Sequence, residues 1–467
     1  MLTMHDSCSS LRCLTSLTID LAAQTLHLSF ASLAVFLAGL TSLRKLDLHA
    51  LPHDSRSMLR AVACMKHLCQ LQELSIELME HPPVLHAFFD ALHTAGIISS
   101  CTKLAILHCP AMHAGNEFER SRETCWLISQ LSSLRHLSLC CRSEGLFGGP
   151  EQQGAADYAH LAASLSQLTY LRHDCNDGFN VYAAWYSAGS FLQEVLPQLS
   201  SLKHLQFGNH IQFSLHGYLS GALVSMLNLQ HLSLDVSCMV SEVAQTIGTL
   251  TMLTALQLRR HAPLGAMPVQ GRSDILHGTC PALMALTNLK LLQIANFKWS
   301  YEGDSDTVLP HIEGLQSLSL FADNIYECTV FMCLSDAMLH SISSHAHLTS
   351  LVLHGVDEHS IQAAVNCLRK LRWLQRVDVG CKDTFSREED VAQDREGVHG
   401  EVVEAVAGAL RGSSLLTHVR LCFSRKVSES SVTSAVTQLS VLPKLRVLNV
   451  TTEWGDMSWN NLHADGT

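Results

Sequence analysis

Charge is scarce in this chain of 467 residues: 16% are Asp, Glu, Lys or Arg, against roughly a quarter in an ordinary globular protein. Aromatic residues are also few, at 6%, while 47% are hydrophobic. This balance excludes a disordered chain, which needs high charge and low hydrophobicity. Basic charge is the scarcer sign, with 31 Lys and Arg against 42 Asp and Glu, net −11. That argues against nucleic acid as a partner, since neutralising phosphates takes clustered Lys and Arg. It favours a basic protein partner instead.

Catalytic and metal-binding signatures are missing as well. None of the 17 cysteines falls in a C-x-x-C pair, so zinc-ribbon and thioredoxin-type sites lose their main signature. Reduced cysteines in the cytoplasm are the expectation. There is no H-E-x-x-H, no phosphate-binding loop and no G-x-G-x-x-G. Gly217-Tyr-Leu-Ser-Gly221 has the wrong spacing for a nucleophile elbow. No catalytic residue, metal ligand set or cofactor is therefore assigned, and the chain reads as a non-enzyme. Leu21 to Leu43 carries no charge, yet it holds several Ser, Thr and Gln residues and lacks a basic flank before it. A membrane span needs about 20 predominantly apolar residues, so none is expected.

What is abundant is leucine at fixed intervals. Leu40-Thr-Ser-Leu43-Arg-Lys-Leu46-Asp-Leu48 is echoed by Leu131-Ser-Ser-Leu134-Arg-His-Leu137-Ser-Leu139 and by Leu199-Ser-Ser-Leu202-Lys-His-Leu205-Gln-Phe207. Anchored on its third position, L-x-x-L-x-x-L-x-L recurs at Leu17, Leu46, Leu74, Leu107, Leu137, Leu171, Leu205, Leu232, Leu256, Leu292, Leu318, Leu351, Val377, Val419 and Leu448. The mean spacing is (448 − 17)/14, about 31 residues, in the range of repeats that stack into solenoids. Two leucines two residues apart point to one side of a strand. Stretches upstream carry apolar residues three and four apart, the helical period: Ser57 to Leu68, Val84 to His93, Ile361 to Leu371 and Glu401 to Leu410. One strand with one helix cannot bury its apolar side, so neighbours must stack.

These motifs, over nearly the whole chain, resemble the leucine-rich repeat superfamily, and the long period with helical connections is most similar to its ribonuclease-inhibitor-like class. The resemblance implies an α/β horseshoe solenoid, with a parallel sheet on the concave side and helices on the convex side. It implies one domain over residues 1–467 of about fifteen repeats, with 451–467, including Trp454 and Trp459, as a C-terminal cap. The Asn common after the strand is present as Asn176, but most copies have another residue. About ten residues precede the first copy, few for a cap, so a longer parent protein is an expectation. Lys382 to Glu404 carries eight acidic and three basic residues and reads as a solvated loop.

The resemblance also implies function: a protein–protein interaction scaffold, cytoplasmic, with cytoskeletal or ciliary-axoneme roles among similar proteins. The alternative is a substrate-recognition or sensor arm of a ubiquitin-ligase or innate-sensor protein, whose effector module this chain does not show. Strand alternation puts the residues between the leucines on the open face. Seven of the 28 histidines fall there: His49, His108, His136, His204, His231, His354 and His418. His204 and His231 come from consecutive copies, with Tyr170 and His136 in the same row one and two copies earlier. The candidate partner-binding residues are Tyr170, Arg172, His204, His231 and Asp235, types suited to a protein interface. With ordinary imidazoles this face should gain positive charge between about pH 7 and pH 5. Three polar residues stand at consensus core positions, His173, His345 and Ser413.

Overall fold

A strand with two inward leucines is complete only when the next copy covers it, and the chain repeats that solution at every copy. The computed structural model describes residues 13–20, 36–51, 67–78, 92–94, 96–97, 100–109, 128–141, 155–175, 191–211, 216–236, 241–260, 281–295, 308–321, 334–356, 360–381, 396–423 and 427–451. Its contacts divide the chain into two compact units, Met1–Ser237 and Cys238–Thr467.

The first unit holds β1 Ser16–Asp20, β2 Lys45–Leu51, β3 Glu73–Leu78, β4 Lys103–Cys109, β5 His136–Cys141, β6 Tyr170–Cys175, β7 His204–Ile211 and β8 His231–Val236. Each pairs in parallel with the next. Helices α1 Ala155–Ser164 and α2 His216–Val224 run between strands, and a π-helical turn, Phe191–Val195, continues into a 3-10 turn, Leu196–Gln198. The second unit holds β9 Ala255–Arg260, β10 Leu291–Ala295, β11 Ser317–Phe321, β12 Ser350–Val356, β13 Arg376–Cys381, β14 His418–Phe423 and β15 Val447–Thr451, again all parallel in sequence order. Its helices include α3 Ser241–Gly248, α4 Asp336–Ile342, α5 Ile361–Lys370, α6 Glu396–Leu410 and α7 Glu429–Ser440. Serine caps start two of them: Ser335 Oγ accepts from the Met338 amide and Ser428 Oγ from the Ser431 amide, both at 3.2 Å. No helix among the described residues is long and apolar enough to cross a membrane.

Register is fixed by a recurring device. Two consecutive amides at the start of a strand donate to one carbonyl of the strand before: Arg44 and Lys45 to Thr15, Arg135 and His136 to Thr102, Lys203 and His204 to Thr169. The rung recurs through the second unit and ends with Arg446 and Val447 donating to Thr417. Parallel strands so aligned bring equivalent residues side by side, as in Leu137↔Leu171↔Leu205↔Leu232. The inward pairs are buried, Leu46 and Leu137 at 0% and 1% exposure. Leu37, Leu40 and Leu43, at the end of the uncharged stretch, are likewise buried in the repeat.

One copy differs from the sequence expectation. The fourth strand pairs Leu74↔Leu104↔Leu137, so its anchor is Leu104 and not Leu107, with Ile106 and Cys101 in the flanking core positions. Both Leu104 and Leu107 fit the motif. The rung from Thr102 and Lys103 to the Gln72 carbonyl selects the first. His108, counted in the open-face row from an anchor at Leu107, has no register partner, because the pairing is irregular between Ile106 and Cys109. Of the expected helices, Ile361–Lys370 forms as anticipated, and Glu396–Leu410 begins inside the acidic stretch read as a loop. Most of 57–68 and 84–93, and the 452–467 segment, lie outside the described residues.

The polar core residues have local reasons. His345 is buried, and its Nε2 accepts from the Ile312 amide at 3.1 Å while Nδ1 faces the Ser341 and Ile342 carbonyls. It ties one repeat to its neighbour, and burial lowers its pKa, with His311 adding to the effect. His173 stands between Leu139 and Phe207, stacked on the Phe207 ring at 5.1 Å.

Candidate functional site

In the first unit the sheet face opposite the leucines is accessible. Its first row runs Lys45, Glu73, Lys103, His136, Tyr170, His204, His231 across β2 to β8. Parallel strands about 4.8 Å apart hold consecutive side chains within stacking distance, and here four consecutive residues carry rings. His136 and Tyr170 stack with centroids 5.7 Å apart and planes at 26°. Tyr170 and His204 are 5.8 Å apart at 37°, and His204 and His231 stack at 4.1 Å and 21°. Ring pairs of this kind contribute roughly 0.5–1.5 kcal/mol each beyond their burial. His136 and His231 are exposed, and Tyr170 and His204 are half-buried.

The ladder is uncharged near neutral pH. Desolvation, then the neighbouring His231, His136 and Lys203, push the His204 pKa down to about 4. His231 is lowered by desolvation. His136 is lowered by desolvation first, with Lys103 and Arg135 adding and Glu73 opposing. Burial raises the Tyr170 phenol above its ordinary value. Charging of the ladder therefore lies further toward acid than free imidazoles would give, most of all at His204.

Of the five candidate residues, Tyr170, His204 and His231 come together in the ladder. Arg172 sits in the second row of the same strand, where its Nε donates to Asp174 in an ion pair. Asp235 stands in the third row on β8, half-buried and apart from the rings. The position beside Asp174 in register is Gly208, where a Cβ would lie 2.3 Å from Asp174 Oδ1. Glycine thus leaves Asp174 room to lean across the next strand. His136, in the row though not among those five, is a full member of the stack. His49, further along the face, bonds Glu77 at 3.2 Å.

The equivalent face of the second unit is open at its edges, with Arg376, Val447 and Asn449 exposed, but partly buried at its centre. Gln293, Ala295, Phe321, Val352, His354 and Asp378 occupy the positions opposite the leucines, and all are buried. His354 Nε2 meets Asp378 Oδ1 at 3.0 Å. Expected as an open-face residue, His354 is instead buried against Asp378. Among the described residues no three His, Cys, Asp or Glu side chains converge as a metal site. Cys13, Cys69, Cys101, Cys367 and Cys422 are free thiols.

No protein-family model and no curated protein matches the sequence. Solved structures with similar folds include TLR13 in a complex with ssRNA13, at 15% identity and TM-score 0.38, covering 93% of this chain and 54% of that one. The chain thus spans about half the length of TLR13. The leucine-rich repeat protein LegL7 from Legionella pneumophila matches at 15% identity and TM-score 0.33, over 64% of this chain and 91% of that one. A chain of the yeast Rad7–Elc1 complex matches at 14% identity and TM-score 0.39, over 85% and 81%. The leucine spacing and the in-register parallel strands carry the assignment by themselves: the chain has the fold of the leucine-rich repeat proteins, a solenoid of parallel strands and intervening helices.

Proposed function

We propose that this chain is a non-enzymatic interaction scaffold that holds a partner protein on the open sheet face of its first unit. The observation that carries this reading is the ladder His136–Tyr170–His204–His231: four rings in sequence, two pairs stacked and the middle pair tilted, neutral near pH 7, on an accessible face. Pre-stacked rings offer contact area at little cost in side-chain freedom, as interface anchors do. Free thiols at Cys13, Cys69, Cys101, Cys367 and Cys422 support a reducing compartment such as the cytoplasm. A substrate-recognition arm would use the same face in the same way.

The test is a quantitative pull-down from cells. It compares the parent with a variant carrying His136→Ala, Tyr170→Ala, His204→Ala and His231→Ala, and with Thr433→Ala plus Thr437→Ala on the exposed side of α7 as a control. Proteins lost by the ladder variant and retained by the control support the reading, given unchanged far-ultraviolet circular dichroism. Identical sets from all three chains contradict it.

A further inference from the structure

The ring ladder lies in a basic setting although the chain as a whole is acidic. The residue two before each strand anchor lines the edge where the strands begin, and there Arg44, Arg135 and Lys203 are all exposed. Lys103 is exposed beside His136, partly offset by Glu73 at 3.4 Å. Arg135 and Lys203 form no ion pair with any described residue. Arg135 precedes β5 and Lys203 precedes β7, so their backbones stand two strand spacings apart, about 10 Å. His136, Tyr170 and His204 fill the row directly beside them. A cleft of about 630 Å³ opens at the β5 end, lined by Lys103, Arg135, His136, Ser132 and Ser133 with Glu73 at its side. The histidines register the same field: Lys103 and Arg135 act on His136, and Lys203 on His204, each disfavouring further positive charge. Of the net −11, residues 382–404 supply −5, with eight acidic and three basic, and the first unit as a whole carries another −5, with 18 acidic and 13 basic residues.

We propose that the partner segment held on this face is acidic, its carboxylates reaching Arg135 and Lys203 while its backbone and apolar groups lie along the ring ladder. This rests on the scaffold reading above and reverses the basic partner that net charge favours. Local charge governs which segment docks, because fields from charges beyond a Debye length of about 8 Å are largely screened at physiological salt. Arg172 takes no part, being matched by Asp174.

The test uses the full chain and labelled probes read by fluorescence anisotropy: a short poly-L-glutamate, a poly-L-lysine of equal length and a single-stranded RNA oligonucleotide. The parent should bind poly-L-glutamate in preference to both others, more weakly at about 0.5 M than at about 0.05 M salt. Arg135→Glu with Lys203→Glu should weaken that binding about tenfold or more. Arg411→Glu with Lys444→Glu, exposed residues of the second unit, should leave it unchanged. Preference for poly-L-lysine or for RNA, absence of poly-L-glutamate binding, or equal loss in both charge-reversed variants would overturn the proposal. In the pull-down, partners lost by the ladder variant but kept by Arg135→Glu with Lys203→Glu would overturn the acidic segment and leave the scaffold standing.

Discussion

His173 replaces leucine at a core position of β6, and that one substitution should make the first unit sensitive to acid. Burial pushes its pKa from 6.5 down to about 4, against a small upward pull from Asp174. In the unfolded chain the ring titrates near 6.5. Below that pH the unfolded state binds a proton that the folded state refuses, so stability is full above about pH 6.5 and falls as pH drops toward 4. Each pH unit is worth at most about 1.4 kcal/mol, so the ceiling between pH 6.5 and pH 5 is about 2 kcal/mol. His173 is not fully closed off from solvent, and screening trims the expected loss to about 1–2 kcal/mol. His173→Leu restores the consensus residue, keeps contact with Phe207 and removes the titration. Urea unfolding of parent and variant at pH 7.5 and pH 5 measures the effect. The parent should lose about 1–2 kcal/mol more than the variant on acidification; His136, His204 and His231 remain in both chains, so the difference isolates His173. Equal losses in the two chains would refute the argument.

Other expectations are independent of pH. Leu205→Ala should cost about 2–5 kcal/mol in the same unfolding assay, the range for a buried leucine in a packed core, since Leu205 is 2% exposed between Leu171 and Leu232. Gly208→Ala should cost roughly 0.5–2 kcal/mol by displacing Asp174 from Arg172, and the cost should shrink in an Asp174→Ala background; strictly additive effects would contradict the contact. The Cys101 and Cys367 thiols, raised by burial to about 11 and about 12, should react with a thiol reagent at pH 7.5 far more slowly than exposed Cys13 and Cys69, as mass spectrometry of the modified peptides would show.

The leucines announce the fold because a period of about 31 residues with a two-residue strand signature admits one stacking arrangement. Fourteen of the anchors read from sequence coincide with the paired positions. The fourth slips by three residues because Leu104 and Leu107 satisfy the motif equally, and only the backbone rung to Gln72 separates them. Strand alternation likewise makes the ring row legible, since it places His136, Tyr170, His204 and His231 at one repeat position. Arg172 and Asp174 also share that alternation, so their mutual neutralisation was readable from their spacing of two. Arg135 and Lys203 lie one residue outside the strands, beyond the reach of strand alternation, although both precede a ring at the same repeat position. Burial of Phe321, His354 and Asp378 has no signal in the repeat, because periodicity states which face a residue occupies and not what covers that face.

The fold and the ring ladder both require equivalent open-face residues of successive strands to stand side by side in sequence order. Gln206→Cys with Ser233→Cys places thiols on register partners of β7 and β8, whose backbones lie about 4.8 Å apart, inside the range of about 4.4–6.8 Å that a disulfide spans. Ser138→Cys with Gln206→Cys skips β6, at about 10 Å, and lies outside it. Mild oxidation followed by peptide mass spectrometry should find the first crosslink formed readily in the folded chain and the second absent. Formation of the second in preference to the first would break the register on which the fold, the ring ladder and its proposed partner all stand.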